Sequence, residues 1–205
     1  GGGIDLIFPH HEAEIAQMES ISGKKPLVNY WLHTGFLKIN KSKMSKSLGN
    51  FKTIRDLLKI CKPEVIRYFI LLNHYRKPLD FTDDALKNAE NSYVRLKKIC
   101  EEFKDDKKIN KEYTEEFEKE MDDDFNTPNA MQVLWKFVRD KKATGKFQTI
   151  KKIDEVFGLD LLKKEKIKIP EEIKKLADER ERFRKEKNWK KSDELRENIK
   201  KKGYL

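Results

Sequence analysis

Apolar residues recur every three or four positions along most of the 205-residue chain, with polar residues between them. This spacing predicts a protein that is helical over nearly all of its length after residue 52. Thr53 and Thr82 stand where N-caps are expected, and Gly158 and Gly203 where helices would end. The predicted helices cover approximately residues 53–60, 64–75, 82–103, 111–121, 127–142, 150–157, 170–187 and 189–202.

The amino-terminal quarter follows a different pattern. Ile4 to Phe8 is a short apolar run after three glycines, which is typical of a strand end that enters a turn. Pro9 suits the first position of a helix that continues to about Ile21. Leu27–Ile39 is rich in β-branched and aromatic residues and predicts one or two strands. Asn40–Phe51 is then a polar, lysine-rich loop.

Charge changes this picture by suggesting a partner. Charged residues make up 40% of the chain and hydrophobic residues 37%, so the core must be thin and mostly helical. The formal net charge is +10, and residues 163–205 alone hold 17 Lys and Arg against 10 Asp and Glu. A solvated lysine-rich surface is the alternative, but a basic tail concentrated in this way favours a nucleic-acid partner.

The cysteines and the ends of the chain give weaker expectations. Cys61 and Cys100 lie in separate helical patterns without Cys-x-x-Cys spacing, which predicts reduced thiols in a cytoplasmic protein. No long apolar run or signal peptide stands out, so no membrane partner is expected. The first residue is Gly1 rather than Met, and we expect the chain to begin inside a longer protein.

The sharpest chemical motif is Lys43-Met44-Ser45-Lys46-Ser47, followed by Leu-Gly-Asn. Two lysines three positions apart in a Ser- and Gly-rich loop can place ammonium groups around a triphosphate. The serine hydroxyls and loop amides would add donors to the phosphate oxygens. An isolated Lys-x-x-Lys pair would indicate only a solvated basic loop, but the complete pentapeptide favours phosphate binding.

These residues carry a resemblance to a known family. Lys43–Ser47 matches the KMSKS signature of class I aminoacyl-tRNA synthetases, and Gly1–Glu14 is similar to a run in the cysteinyl-tRNA synthetases, with Ala13 where asparagine is usual. Asp122–Pro128 and Lys187–Asp193 resemble later parts of the same family, in the same order. The resemblance covers essentially the whole chain.

The resemblance implies a mixed α/β and α fold. Its parts are the carboxy-terminal end of a Rossmann catalytic domain (1–25), a connecting segment with the KMSKS loop (26–84), an antiparallel helical bundle (85–166) and a small helical anticodon-binding tip (167–205). Class I enzymes also need a His-Ile-Gly-His-type motif, which nothing in the chain matches. The missing amino-terminal half of the catalytic domain is therefore an expected partner.

His10 and Glu14 are candidate metal ligands. They lie four apart on the predicted helix, so both side chains project from one face. Such a pair is ordinarily a surface ion pair, but the resemblance implies that both bind Zn²⁺ together with two cysteines upstream of this chain. Zinc binds thiolate strongly and a neutral hydroxyl poorly, which would separate cysteine from serine where shape cannot. His11 and Glu12 point elsewhere on the helix.

The resemblance also implies an ATP site. Lys46, and secondarily Lys43, would act catalytically by stabilising charge on the departing pyrophosphate. Both lysines, Ser45 and Ser47 would bind ATP, which is expected to carry Mg²⁺. Asp5 would accept hydrogen bonds from the ribose, although it could equally stabilise a turn. L-cysteine would react with ATP to give cysteinyl-adenylate, and tRNA(Cys) would then take the cysteinyl group.

Candidate tRNA-binding residues lie in the basic tail. Arginine can contact base edges bidentately and an aromatic ring can stack on an unpaired base, so Arg184, Trp189 and Asp193 are the candidate anticodon contacts. A tryptophan in a helical hairpin is nevertheless more often part of the core, and Arg184 and Asp193 are therefore preferred.

Asp122–Asp124 could be mistaken for a metal loop. The remaining oxygen ligands of a calcium site are missing at the required spacing, so the turn at the start of a helix is the preferred interpretation, with Phe125 and Pro128 packing there. Four aromatic residues fit helical apolar faces and are predicted to be core. They are Tyr68, Phe69, Trp135 and Phe137.

Three functions remain open at this point. The first is ligation of cysteine to tRNA, with this chain supplying part of the active site and the tRNA-binding helices. The second is a synthetase-derived ligase that joins cysteine to an amino sugar, which would have no use for the basic tail. The third is a non-catalytic tRNA-binding module, which the absence of the first half makes physically reasonable.

Overall fold

The computed structural model describes residues 1–44, 52–164 and 170–202. Contacts within the chain divide it into two compact units, Gly1–Lys163 and Lys164–Leu205. Within the described residues, no helix has both the length and the apolar character needed to cross a lipid bilayer.

The first unit contains two small sheets. Strand β1 (Gly2–Gly3) pairs in parallel with β2 (His33–Thr34). Strand β3 (Leu37–Ile39) lies between β4 (Ser42–Lys43) and β5 (Leu79–Phe81), antiparallel to the former and parallel to the latter. The strand prediction for 27–39 is therefore correct only for its last part.

Strand β1 corrects one prediction. The strand is formed by the glycines, whereas the apolar residues expected to be strand form a 3₁₀ turn over Ile4–Leu6. Residues Ile7–His11 form an irregular π-type turn with a kink at Phe8, whose backbone is extended (φ −131°, ψ 134°), and helix α1 (Glu12–Ser22) follows. The helix expected from Pro9 is therefore present with an irregular start. Gly23 ends α1 in the left-handed conformation (φ 67°) that glycine adopts without steric cost.

The remaining helices of the first unit follow the predicted order. They are α2 (Ile54–Leu57), α3 (Pro63–Leu71), α4 (Asp83–Glu101), α5 (Lys111–Asp122), α6 (Thr127–Arg139) and α7 (Lys146–Phe157). Side-chain caps support four of these starts: the side chain of Thr53 accepts from the amide of Asp56, and Thr82, Asn110 and Asn126 cap α4, α5 and α6. Local capping chemistry explains why these starts were predictable.

Some helix lengths differ from the prediction. Helix α3 ends at Leu71 rather than near residue 75, because residues 73–78 turn toward β5. Helix α2 is a single turn rather than seven residues long. Helix α7 starts four residues earlier than expected, after Gly145 in the left-handed conformation (φ 74°).

One apolar core joins α3–α7 to β3 and β5. Tyr68, Phe69 and Phe137 are buried as predicted, whereas Trp135 is only partly buried and packs against the edge of this core. Cys100 is also fully buried there and Cys61 lies partly buried at the edge, both as free thiols.

The second unit is a helical hairpin of α8 (Glu171–Lys185) and α9 (Trp189–Lys201). Lys202 Nζ lies 2.5 Å from Glu172 Oε1, which joins the last residues of the hairpin to its first turn, so the two helices run antiparallel. Ile173, Ser192 and Ile199 are buried within this unit.

Candidate functional site

The Lys43–Ser47 motif begins in the second strand of a β-hairpin. Ile39 pairs with Ser42, so Asn40 (φ 50°) and Lys41 (φ 66°) form a two-residue turn with both residues left-handed, as in type I′ hairpins. The backbone N–H of Lys41 donates to Asp80 Oδ1 at 2.8 Å, which ties the turn to β5. The backbone of Lys43 belongs to β4, whereas Ser45, Lys46 and Ser47 lie outside the described residues.

Both sides of the motif are anchored to the first unit. Met44 packs against the core directly before the undescribed residues. After them, Lys52 Nζ lies 2.7 Å from Asp83 Oδ1 and 4.9 Å from the ring centroid of Phe81. Thr53 then caps α2 in a reciprocal capping box with Asp56. The described residues that precede and follow the motif, up to Met44 and from Lys52, are therefore held by secondary structure.

The predicted metal ligands lie in one continuous helical segment. His10 is in the π-type turn and Glu14 is in the first turn of α1, and both side chains are exposed. Among residues 1–44, 52–164 and 170–202, no group of three or more His, Cys, Asp or Glu side chains could hold a metal ion. The described residues thus provide two donors of the kind that zinc accepts, half of a four-ligand shell.

An aromatic and histidine cluster beside this segment was not predicted. His11 is buried, and its Nδ1 lies 2.8 Å from Nε2 of His33. The ring of Trp31 is 4.7 Å from His11 and stacks on His33 at 5.8 Å with an interplanar angle of 8°. The alternation of Trp31 and His33 on one side of an extended segment could have indicated half of this cluster.

The cluster lowers the pKa of His33 and requires a glycine at position 2. Burial lowers the pKa of His33 below its ordinary value, and the neighbouring charge of His11 lowers it further. A Cβ atom at Gly2 would lie 2.7 Å from Leu6 Cδ1 and 3.1 Å from His11 Cε1. Glycine at this position therefore allows the β1 backbone to approach the imidazole closely.

Asp5 follows the glycines as expected, but these form strand β1 rather than a turn, and Asp5 itself lies in the 3₁₀ turn Ile4–Leu6. Its side chain folds back over Gly3, where a Cβ atom would lie 2.5 Å from Asp5 Oδ1. Asp5 is exposed, so its carboxylate is accessible to a ligand.

The candidate tRNA contacts are exposed on the hairpin. Trp189 is 58% exposed at the start of α9, so its interpretation as a core residue is wrong. Asp193 lies one helical turn later on the same face, and Arg184 is in the last turn of α8. All three side chains are exposed. Phe183, between Arg182 and Lys191 at 5.2 Å each, packs in the hairpin instead.

The acidic residues 122–124 lie between two helices, at the end of α5 and before the start of α6. Asp122 is the last residue of α5, and Asp124 (φ 53°) lies in the turn before α6, which corrects the expected helix-start position. Asp124 accepts hydrogen bonds from Tyr75 at 2.6 Å and from Arg76, which lower its pKa to about 2, the arginine contributing most. Phe125 is half-exposed, but its ring packs edge-on against that of Tyr75, with the centroids 6.4 Å apart.

Comparisons with known proteins agree with this geometry. Residues 1–91 match the family model of the class I (C) tRNA synthetase catalytic domain, and residues 116–155 match the DALR domain. Cysteine–tRNA ligase of Thermodesulfovibrio yellowstonii is 42% identical over all of this chain and 50% of its own length. The same enzyme of Legionella pneumophila (strain Corby) is 41% identical over 99% of this chain and 47% of its length.

A further relative, from Lactococcus lactis (strain MG1363), is 40% identical over all of this chain and 47% of its own length, and it too is a cysteine–tRNA ligase. The chain therefore spans about half the length of the curated relatives it matches. None of these matches supports an amino-sugar ligase or a non-catalytic module. The chain belongs to the cysteinyl-tRNA synthetase family of ligases, of which it represents a carboxy-terminal portion.

Proposed function

We propose that this chain takes part in the ATP-dependent ligation of cysteine to tRNA(Cys) through cysteinyl-adenylate. It would supply the phosphate-binding and metal-binding parts of the active site, while the amino-terminal half supplies the rest. The proposed boundaries are those of the sequence: 1–25 and 26–84 for the catalytic and connecting parts, 85–166 for the bundle and 167–205 for the anticodon-binding tip. The anchored hairpin before the Lys43–Ser47 motif is the observation that carries the proposal.

The phosphate role rests on this anchoring. The described residues on either side of the motif are held in place, by the two-residue hairpin before it and by the capped helix α2 after it. The proposal is that the cations of the motif meet the triphosphate of ATP between these two anchored segments. In-line attack of the cysteine carboxylate on the α-phosphate of ATP forms the adenylate and releases pyrophosphate. Lys46, with Lys43, would stabilise the charge that builds up on pyrophosphate, with Ser45, Ser47 and Asp5 binding the nucleotide.

The metal role rests on two exposed donors in one helical segment. His10 and Glu14 would hold Zn²⁺ through an imidazole nitrogen and a carboxylate oxygen, with two further ligands from the amino-terminal half. When bound, the metal would select the thiolate of cysteine over the hydroxyl of serine. The segment that carries these residues is fixed at its start by the β1–β2 pairing and at its end by Gly23.

The tRNA role of the tip rests on exposure and charge. Trp189 is free to stack on an unpaired base because it does not belong to the hairpin core. Arg184 and Asp193 would contact base edges as donor and acceptor. The lysines around them would hold phosphates, as expected for the basic end of the chain.

Pyrophosphate exchange tests the catalytic part of the proposal. This chain is combined with the missing amino-terminal half, and cysteine-dependent exchange between ATP and pyrophosphate is measured. Lys46→Ala should slow exchange by about 10² or more, since preorganised charge at a leaving group is typically worth that factor. The matched control is Lys41→Asn, which removes a cation from the same hairpin but keeps a residue that tolerates its left-handed backbone. Equal rates for the two variants would contradict the role given to Lys46.

Charging of tRNA tests the tip. In the same reconstituted enzyme, Arg184→Glu should reduce tRNA charging at least tenfold while exchange stays near the unmodified rate. Lys175→Glu makes the same charge change on an exposed residue of α8, ten residues before the end of that helix, and should leave both activities intact. Loss of exchange in Arg184→Glu would show instead that the hairpin is needed for the fold.

A further inference from the structure

We propose that Asp124 is a positioning residue for the cysteine side of the active site, the part formed by His10, His11 and His33. Asp124 lies in the turn between α5 and α6, and it would act through the loop at 73–78. The inference deepens the proposed function and rests on it, because it concerns the place where cysteine would be activated.

The carboxylate of Asp124 holds two side chains of this loop. Its Oδ1 accepts the hydroxyl of Tyr75 at 2.6 Å and an N–H of the Arg76 guanidinium at 2.9 Å, and its Oδ2 accepts a second N–H from Arg76. Hydrogen bonds to an ionised partner are shorter and stronger than neutral ones. The ring of His74 stacks on that of Tyr75, with the centroids 5.0 Å apart and an interplanar angle of 23°. The phenol is therefore held at its hydroxyl and on one face.

Hydrogen bonds within the loop keep its shape. The backbone N–H of Lys77 donates to the carbonyl of His74 at 2.9 Å. The side-chain amide of Asn73 donates to the carbonyl of Lys77 at 3.2 Å and to that of His74 at 3.3 Å. Because these bonds link both ends of the loop, a displacement of Tyr75 moves the backbone around it as well.

The backbone of the loop holds the residue that follows β2. The N–H of Gly35 donates to the carbonyl of Tyr75 at 2.8 Å, and the N–H of Leu79 donates to the carbonyl of Phe36 at 3.0 Å. A Cβ atom at Gly35 would lie 2.5 Å from both the carbonyl carbon and the oxygen of Lys77, so the two segments are in direct backbone contact. The end of β2 therefore follows the position of the loop.

Strand β2 carries this position to the histidines. The strand has only two residues, so its pairing with β1 supplies few hydrogen bonds and its location depends on how its end is held. His33, in this strand, places its Nε2 2.8 Å from Nδ1 of His11, which directly follows the candidate ligand His10. The contacts from Asp124 to His11 thus form one continuous series.

The phosphate side of the site has anchors of its own. The N–H of Lys41 is held by Asp80, Lys52 is held by Asp83, and the capping box fixes the start of α2. None of these contacts passes through Asp124. Loss of its carboxylate should therefore disturb the handling of cysteine more than that of ATP.

The imidazole signals of the 205-residue chain test the positioning directly, without any activity. The chain has four histidines, so their ring ¹H–¹⁵N correlations can be assigned individually. Asp124→Asn keeps the size of the side chain and tolerates the left-handed backbone (φ 53°), and Asp122→Asn makes the same change on an exposed residue at the end of α5. The signals of His11 and His33 should shift in Asp124→Asn and stay in place in the control. A shift confined to His74, the direct neighbour, would overturn the inference.

Cysteine-dependent pyrophosphate exchange in the enzyme reconstituted with the amino-terminal half tests the consequence. Asp124→Asn should lower kcat/KM for cysteine about tenfold and change KM for ATP less than about twofold, since a displacement of about one ångström can cost up to 10²-fold in rate. Tyr75→Phe removes only the hydroxyl that donates to Asp124 and should reproduce much of the loss. In the double variant the two losses should be less than additive, as for residues that act through one contact.

The outcomes separate this inference from the proposed function. If the unmodified reconstituted enzyme shows no exchange, the proposed function fails, and the histidine signals still decide whether Asp124 positions His33. If exchange is present and Asp124→Asn equals Asp122→Asn, the inference is overturned and the proposed function stands. Equal losses for cysteine and ATP would show a general structural role and would also overturn it, as would fully additive losses with Tyr75→Phe.

Discussion

Asp154 offers a quantitative test of how the helical bundle is held together. The carboxylate lies near the end of α7, and its two oxygens accept the backbone N–H groups of Leu159 at 2.7 Å and Leu161 at 2.8 Å. Both leucines are fully buried. Because the carbonyl of Leu159 accepts the hydroxyl of Tyr93 at 2.9 Å, this turn also holds α4 against the end of α7. The test is the substitution Asp154→Asn.

The expected cost follows from the hydrogen bonds. An amide keeps one acceptor oxygen but places an NH₂ group against the second backbone N–H, which leaves a buried donor unsatisfied at about 1–3 kcal/mol. Burial raises the pKa of Asp154, which shows that the ionised carboxylate itself is penalised there, and the neutral amide escapes this penalty. We therefore expect a net loss of about 1–2 kcal/mol in the free energy of unfolding, or about 2–8 °C in melting temperature.

Urea unfolding of the 205-residue chain, followed by circular dichroism, measures this loss. Asp160→Asn is the matched control, since Asp160 lies in the same turn with a left-handed backbone (φ 52°) and a side chain that is 45% exposed and bonded to Lys163. Its loss should stay within about 0.5 kcal/mol. Equal losses for the two variants would refute the assignment of Asp154 as the residue that closes this turn.

Three further outcomes are expected. Burial raises the pKa of Cys100 to about 12, whereas the thiol of the unfolded chain ionises at about 8.5. Between these pH values the unfolded state binds fewer protons than the folded state, so the free energy of unfolding falls as pH rises. Cys100→Ala should flatten this decline between pH 8 and pH 11 relative to the unmodified chain. Gly35→Ala should lower thermal stability by about 1–3 kcal/mol, because its Cβ would lie 2.5 Å from the carbonyl carbon of Lys77. Thr53→Ala should cost about 1 kcal/mol in urea unfolding by removing the cap of α2.

Local chemistry explains which parts of the fold were predictable. Helices α4, α5 and α6 were expected within a few residues because each begins at a polar residue whose side chain accepts a backbone N–H. Strand β5 was missed because its three residues, 79–81, become a strand only by pairing with 37–39, some forty residues earlier. The two strand glycines were missed for the same reason, since glycine has low strand propensity and only the pairing with His33–Thr34 holds them.

The same distinction applies to the candidate site. The residues of Lys43–Ser47 are contiguous, and His10 and Glu14 lie one helical turn apart. The sequence alone could therefore suggest both. The contact between His11 and His33 spans 22 residues and depends on the parallel pairing of β1 with β2, which no local pattern specifies. Trp189 was weighed by the general tendency of tryptophan to be buried, and only the hairpin shows that its side chain faces solvent.

The loop at 73–78 contacts both the strand end at Gly35 and the turn before α6 in the helical bundle. The N–H of Gly35, next to β2, donates to the carbonyl of Tyr75 at 2.8 Å. The side chains of Tyr75 and Arg76 reach in the opposite direction and donate to Asp124, in the turn from which α6 starts. Because the backbone of Tyr75 is held by the strand end and its side chain by the bundle, displacement of either one must strain the other. Asp124, in the turn before α6, is therefore hydrogen-bonded to the same loop that holds the strand end beside His33.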